Sequence, residues 1–152
     1  MNSNPDAIIP LTNMFGGAMG YLLTQARNHH LAAIERELAP LNITSAQFMV
    51  VVGIAHERGK TLTELSAFLG YDSGAMKRLL DRVEEKGIIR RVPCPNDRRS
   101  QILELTDSGR QLYPQIMDGV RRVHARALEG FSDEEVALFQ TFLQKIVASY
   151  DR

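Results

Sequence analysis

Between Thr61 and Thr106 the chain reads TLTELSAFLGYDSGAMKRLLDRVEEKGIIRRVPCPNDRRSQILELT, and this stretch leaves few folds open. Thr61 or Thr63 begins a short helix, and for Thr61 the residue three on, Glu64, is a capping-box partner. Leu62, Leu65, Phe68 and Leu69 form its inward face. Gly70-Tyr71-Asp72 is a turn, and Asp72 N-caps a second helix that buries Ala75, Met76, Leu79, Leu80 and Val83. Gly87 ends that helix. Ile88 to Val92 then reads as a strand, residues 93–97 as a turn and Ser100 to Leu105 as the return strand. So short a hairpin needs a helix to pack on.

The flanks are helical. Apolar residues recur at helical spacing from about Leu11 to Ala39, and Pro40 stops the run after an irregular arm at residues 1–10 bounded by Pro5 and Pro10. A helix of about 28 residues would be roughly 42 Å long, more than one small core needs. Gly16, Gly17 and Gly20 lie within it; no strand precedes them, so they mark close packing or local weakness rather than a dinucleotide site. Thr44 or Ser45 can cap a helix running to about Arg58 and closed by Gly59, with Gln47 placed as a capping-box partner for Thr44. Phe48, Val51, Val52 and Ala55 are its inward residues. Thr106 caps another, to about Glu129, in which Pro114 removes one backbone hydrogen bond or makes a kink. Ser132 and Glu135 box the last helix. The first and the last two helices are more apolar than a domain of 152 residues can bury alone, which points to a homodimer.

Charge becomes informative only when it is localised. Lys+Arg and Asp+Glu are both 18, so the net charge is zero. Yet Ile88 to Gln101 holds Arg90, Arg91, Arg98 and Arg99 against Asp97 alone. Phosphate contacts are made by a patch, not by an average. A helix fits the major groove, and the helix before it braces it on the backbone. On the polar side of the second helix, Lys77, Arg78 and Arg82 lie about a turn apart, where arginine can grip guanine and lysine can neutralise phosphate. Ser73 and Gly74 let the backbone come close at the helix start. Arg98 sits beside a loop able to reach the minor groove. The plainer reading of this helix is a solvated charged face built from Lys77, Asp81, Glu84 and Glu85. The hairpin and the charge segregation favour double-stranded DNA, and count against a helical scaffold that binds no nucleic acid.

The run Asp72–Gly87 followed by Ile88-Ile89 and Arg91, then Pro95-Asn-Asp-Arg-Arg99, then Leu105-Thr-Asp-Ser-Gly109, resembles the MarR family of winged helix-turn-helix transcriptional regulators. Val83 stands where the family commonly has leucine, and Lys77 where a small polar residue such as threonine is frequent. The resemblance implies a mainly α fold with a small β-hairpin wing. Residues 1–40 and 107–152 would dimerise, and residues 41–106 would form the DNA-binding domain. It implies a homodimer on a pseudo-palindromic operator, usually a repressor released by small aromatic or phenolic ligands. Ser73, Lys77, Arg78 and Arg82 match its recognition-helix positions, and Asp97 and Arg99 its wing acid–arginine pair. Asp97 is then structural, Arg99 its partner, and Arg98 or Arg99 faces DNA.

Other chemistries find little support. There is no Gly-Lys-Ser phosphate loop, HExxH or Gly-x-Ser-x-Gly, so no enzyme is expected. His29 and His30 point about 100° apart on a helix, and His56 and His124 are distant in sequence, so no metal is expected. No cofactor is expected beyond a small phenolic or aromatic-acid effector. Its pocket is expected where the first helix meets the second and fifth, near the wing, with Tyr21, Arg27, His30, Phe48 and Tyr113 mixing ring surface with polar tips. The single cysteine, Cys94, lies between two prolines beside arginines and offers a redox switch as an alternative signal. No apolar run reaches the roughly 18 residues of a membrane span, and MNSNPDAIIP lacks a secretory pattern, so a cytoplasmic protein is expected.

Overall fold

The computed structural model describes residues 19–95 and 97–150, with residues 97–100 described by their backbone alone. The expected arm, the start of the first helix, Gly16 and Gly17 lie outside the described residues, as do the side chains of Asp97, Arg98 and Arg99. The elements are α1 (Met19–Leu38), α2 (Ser45–Ala55), α3 (Leu62–Leu69), α4 (Ser73–Glu85), β1 (Ile89–Cys94), β2 (Asp97–Leu105), α5 (Asp107–Ala127) and α6 (Asp133–Tyr150). The protein is mostly helical, with one two-stranded antiparallel hairpin.

Local hydrogen bonding fixes the helix starts. Thr44 and Gln47 close a reciprocal box on α2, and Thr61 and Glu64 do the same on α3. Asp72 Oδ1 accepts from Ala75 N at 2.8 Å to start α4. Thr106 Oγ1 accepts from Gly109 N at 3.0 Å, and Ser132 and Glu135 exchange bonds at 2.8 and 3.2 Å. Each cap satisfies N–H groups that the first turn leaves without helical partners. After α1, Pro40 sits in a short 3-10 turn, Ala39–Leu41, and Asn42 takes a left-handed φ of 55°.

One core joins the helical frame to the hairpin. Ile34 and Leu38 of α1, Val50 and Val51 of α2, Leu65, Met76, Leu80 and Val83 of α3 and α4, Ile89 of β1 and Ile116 of α5 are essentially solvent-free. The hairpin pairs Ile89 with Leu105 and Arg91 with Leu103. Leu103 N also donates to Lys60 O at 2.8 Å, so the hairpin is tied to the segment before α3 as well.

Several boundaries differ from the sequence reading. Helix α2 ends at Ala55, not near Arg58. Glu57, at φ 53°, makes the left-handed turn expected of Gly59. Gly59 instead serves close packing, since a Cβ there would lie 2.9 Å from Leu65 N. Phe68 is 44% exposed rather than inward, although it follows the periodicity of Leu65. The strands run further into the turn than expected, and the register shifts between Pro93 and Cys94, because proline cannot donate to the ladder. Helix α5 runs through Pro114 as one element but stops at Ala127, short of Glu129. Gly20 packs against nothing within 4 Å where a Cβ would project, so close packing is not seen there.

The ends of the frame are poorly covered. No described residue of α6 is buried, and Leu138, Phe139, Phe142 and Val147 are 45–63% exposed. Leu22 of α1 is 58% exposed, although it falls in the run of apolar residues at helical spacing. Where α1 does pack on α5, the His30 and His124 rings stack 5.1 Å apart, and Glu37 accepts from Arg122 and Arg126. Burial, and then repulsion by His124, lower the His30 pKa from 6.5. The unfolded chain therefore takes up this proton first, and stability falls as pH drops below about 6.5. The depressed carboxylates Glu35, Glu37 and Asp81 act at lower pH, because their stabilisation is kept above the unfolded value and lost only below it. Thermal unfolding between pH 7.5 and about pH 5.5 is expected to show a falling midpoint that His30→Gln flattens. Equal slopes for the two proteins would contradict this.

Candidate nucleic-acid interface

Helix α4 separates its faces cleanly. Met76, Leu80 and Val83 are buried, while Ser73, Gly74, Lys77, Arg78 and Arg82 are exposed along the other side. This amphipathicity follows from apolar residues three and four apart. At its start a Cβ on Gly74 would come within 3.2 Å of the capping Asp72 carboxylate, so glycine relieves crowding beside the cap.

The hairpin is latched to this helix by charge. Arg91 of β1 donates through Nη2 to Asp81 Oδ1 at 2.6 Å and pairs through Nη1 with Glu84. Its backbone N–H donates to Glu84 Oε1 at 3.1 Å. Lys77 Nζ donates to Asp81 Oδ2 at 2.9 Å. Lys77 first, and then Arg91, hold the Asp81 carboxyl below its ordinary pKa. Arg90 crosses the ladder to Glu104 at 3.0 Å. Two of the four arginines counted in the basic strip are thus neutralised within the protein. The plainer reading of α4 leaves Asp81 and Glu84 on a solvated face, and their partner, ten and seven residues away on a strand, is not visible to helical spacing.

Asp97, Arg98 and Arg99 lie on the backbone of β2, and their side chains are outside the described residues. Cys94 is half-buried at the end of β1, with a free thiol.

The five residues expected around an effector are dispersed. Phe48 is in the core. Tyr21 is exposed and its hydroxyl accepts from Gln25 at 2.9 Å, Arg27 is exposed, and His30 stacks on His124. The Tyr113 hydroxyl and His56 Nε2 are hydrogen-bonded at 2.6 Å, a contact between α5 and the end of α2. None of the five lines either of two surface clefts beside α5. Among the described residues no cluster of three or more His, Cys, Asp or Glu is placed to hold a metal ion. No single described helix is long and apolar enough to cross a membrane.

Helix, turn, helix and latched hairpin, with an exposed basic face on the second helix, define a winged helix-turn-helix protein of the DNA-binding, transcription-regulating class. The MarR family profile matches residues 43–101. The chain is 33% identical to the multiple antibiotic resistance protein MarR of Escherichia coli K12 over 92% of both chains, and 34% identical to that of Salmonella typhimurium. It therefore belongs to the MarR family. Its fold is similar to a crystal structure of apo wild-type MarR from E. coli, with TM-score 0.74 and 32% identity over 91% of this chain and 98% of that one. A mutant E. coli MarR complexed with operator DNA superposes with TM-score 0.77 at 32% identity, covering 85% and 93% of the two chains.

Proposed function

We propose that this chain is a homodimeric repressor that acts in the cytoplasm, binds a pseudo-palindromic operator and leaves it when a small aromatic or phenolic effector binds. The observation that carries the reading is the exposed row Ser73, Lys77, Arg78 and Arg82 on a helix whose opposite face buries Met76, Leu80 and Val83 in the core. Such a helix is held rigidly and presents its cations outward. The operator-bound MarR relative supports the same reading. Residues 41–106 would read DNA. Residues 1–40 and 107–152 would pair two copies, which fits the uncovered apolar surface of α6.

The direct test is binding to the DNA upstream of its own reading frame, followed by fluorescence anisotropy at several salt concentrations and then with salicylate. Counterion release makes affinity fall steeply with salt. Binding that is absent, or insensitive to salt, would remove the reading.

Two substitutions separate reading from holding. Arg98→Ala is expected to weaken operator binding about tenfold and to lower the salt slope by about one, as for a lost phosphate or groove contact. Arg91→Ala is expected to weaken it by a similar factor, about tenfold, with the slope unchanged, because Arg91 grips Asp81 and Glu84 rather than DNA. A reduced slope for Arg91→Ala would move it from latch to contact. Asp97→Ala should behave like Arg91→Ala if its role is to stiffen the wing.

A further inference from the structure

The exposed row on α4 is not uniform. Lys77 is the one cation of the row tied to an acid among the described residues, through Nζ to Asp81 Oδ2 at 2.9 Å. The acid stands four residues later on the helix, and a lysine N-terminal to its acid is the weaker order for such a pair. An isolated exposed pair would hold the ammonium loosely. Here the acid is itself held. Its other oxygen, Oδ1, accepts from Arg91 Nη2 at 2.6 Å. Arg91 is fixed in turn by Glu84, which pairs with its guanidinium and accepts from its backbone N–H at 3.1 Å. Exposure falls along these contacts, from 67% for the Lys77 side chain to 35% for Asp81 and 23% for Arg91. The lysine is thus tethered at the solvent end of a network rooted in the hairpin.

The tether changes what Lys77 can do. A free lysine is a mobile point charge that settles on phosphate. An ammonium has three donors, and Asp81 takes one, which leaves two. The carboxylate also offsets part of the charge, so attraction to phosphate in general is reduced. What is left is a directed pair of donors, one turn into a helix whose polar side faces outward. In the major groove guanine offers two acceptors side by side, N7 and O6, whereas adenine carries its N6 amino donor where guanine has O6. Two fixed donors therefore fit guanine and meet a competing donor at adenine.

We propose that Asp81 is the positioning residue that makes Lys77 a reader of one guanine in each half-site, in place of a phosphate contact. The inference rests on the operator-binding reading above, and adds to it the base chosen at one position and the residue that aims the choice. It also gives the hairpin a part in sequence reading that needs no contact with a base, because Arg91 fixes the carboxylate that orients Lys77.

The test binds the full chain to operator duplexes in which each base pair of a half-site is exchanged in turn, with a random-sequence duplex alongside, read by anisotropy. The parent is expected to show a guanine whose exchange for adenine costs about tenfold or more, and whose replacement by 7-deazaguanine, which lacks the N7 acceptor, costs about threefold. Lys77→Met should abolish the discrimination at that position and at no other. Asp81→Asn should cut it to about threefold or less, while random-sequence affinity rises and the salt slope steepens by up to about one, as a released lysine turns to phosphate. With Lys77→Met already in place, Asp81→Asn should change nothing further at that guanine, since residues that act through one another are not additive. Glu84→Gln loosens the hairpin but keeps the Lys77–Asp81 pair. It should weaken all operator sequences alike and leave the discrimination within about twofold of the parent. Asparagine matches aspartate in size, and Glu84 still holds Arg91, so Asp81→Asn is expected to fold, which its melting midpoint checks. Lys77→Met, at an exposed position, tests the base assignment independently. A parent with no guanine whose recognition Lys77→Met removes, an Asp81→Asn chain with undiminished discrimination, or a uniform loss from Asp81→Asn like that from Glu84→Gln would each overturn the proposal. A parent that binds operator and random duplexes equally, or neither, retires the operator reading and this assignment together. One that prefers operator but fails the guanine test retires this assignment alone.

Discussion

Gly109→Ala is expected to destabilise the protein by about 2–3 kcal/mol, toward the upper end for an inserted methyl group. At roughly 2–4 °C per kcal/mol for a chain of this size, the thermal midpoint falls by about 4–12 °C. A Cβ at this position would stand 2.1 Å from the Ile88 carbonyl oxygen, 3.1 Å from its carbon and 3.4 Å from its Cγ2. The obstacle is backbone, which cannot rotate away as a side-chain tip can. Moving it is costly for a second reason. The same oxygen accepts from Thr106 N at 3.0 Å and lies 3.2 Å from Thr106 Oγ1, which also donates to Gly87 O at 2.5 Å. Helix α5 therefore starts in contact with the end of the α4 segment, and glycine permits the approach. The loss is expected to be global, because Ile88, Ile89 and Ile116 belong to one core. Urea unfolding followed by circular dichroism gives the number. A variant within about 0.5 kcal/mol of the parent would mean that α5 does not approach Ile88 so closely.

The same junction shows what a sequence reveals and what it withholds. The caps were legible because their chemistry is local. Thr44 and Gln47, Thr61 and Glu64, and Ser132 and Glu135 are each three residues apart, and the hydrogen bonds follow from that spacing. The exposed polar row of α4 was legible for a similar reason, since helical period alone sorts Met76, Leu80 and Val83 from Lys77, Arg78 and Arg82. Gly109 gave no such signal. Its constraint comes from a carbonyl 21 residues earlier, which only the packed junction brings near. The latch of Arg91 on Asp81 and Glu84 was hidden likewise, and it changes the meaning of charge counted along the chain. Phe68 shows the opposite failure. Its period was inward, but α3 has only eight residues, and what lies opposite each of them decides burial. The surface clefts form where separate chain segments meet, residues 41–43, 86–88 and 108–115 in one and residues 37–41 and 115–122 in the other, and no spacing along the chain reveals such junctions.

The remaining large effect concerns the surface that the single chain leaves uncovered. Leu138→Glu combined with Phe142→Glu is expected to convert the protein to a monomer at micromolar concentration and to weaken full-operator binding by about 10²–10⁴-fold. The two residues are one turn apart on α6 and are 53% and 50% exposed. With Phe139, Val147 and Tyr150 they form apolar surface on a helix that has no buried residue of its own among those described. Isolated exposed apolar residues are ordinary, but a whole helix of them calls for a partner. Two carboxylates placed in a desolvated interface would oppose pairing, whereas in water they cost little. The monomer should therefore keep its melting cooperativity and its half-site affinity while losing the gain from two linked half-sites. Sedimentation and anisotropy on full and half operators separate these outcomes. A doubly substituted chain that still sediments as a dimer, or binds full operator as tightly as the parent, would show that α6 is not the surface that sets the spacing of the two recognition helices. A monomer that also loses half-site affinity would place part of the DNA contact, or the stability of α4 itself, under the control of the partner chain.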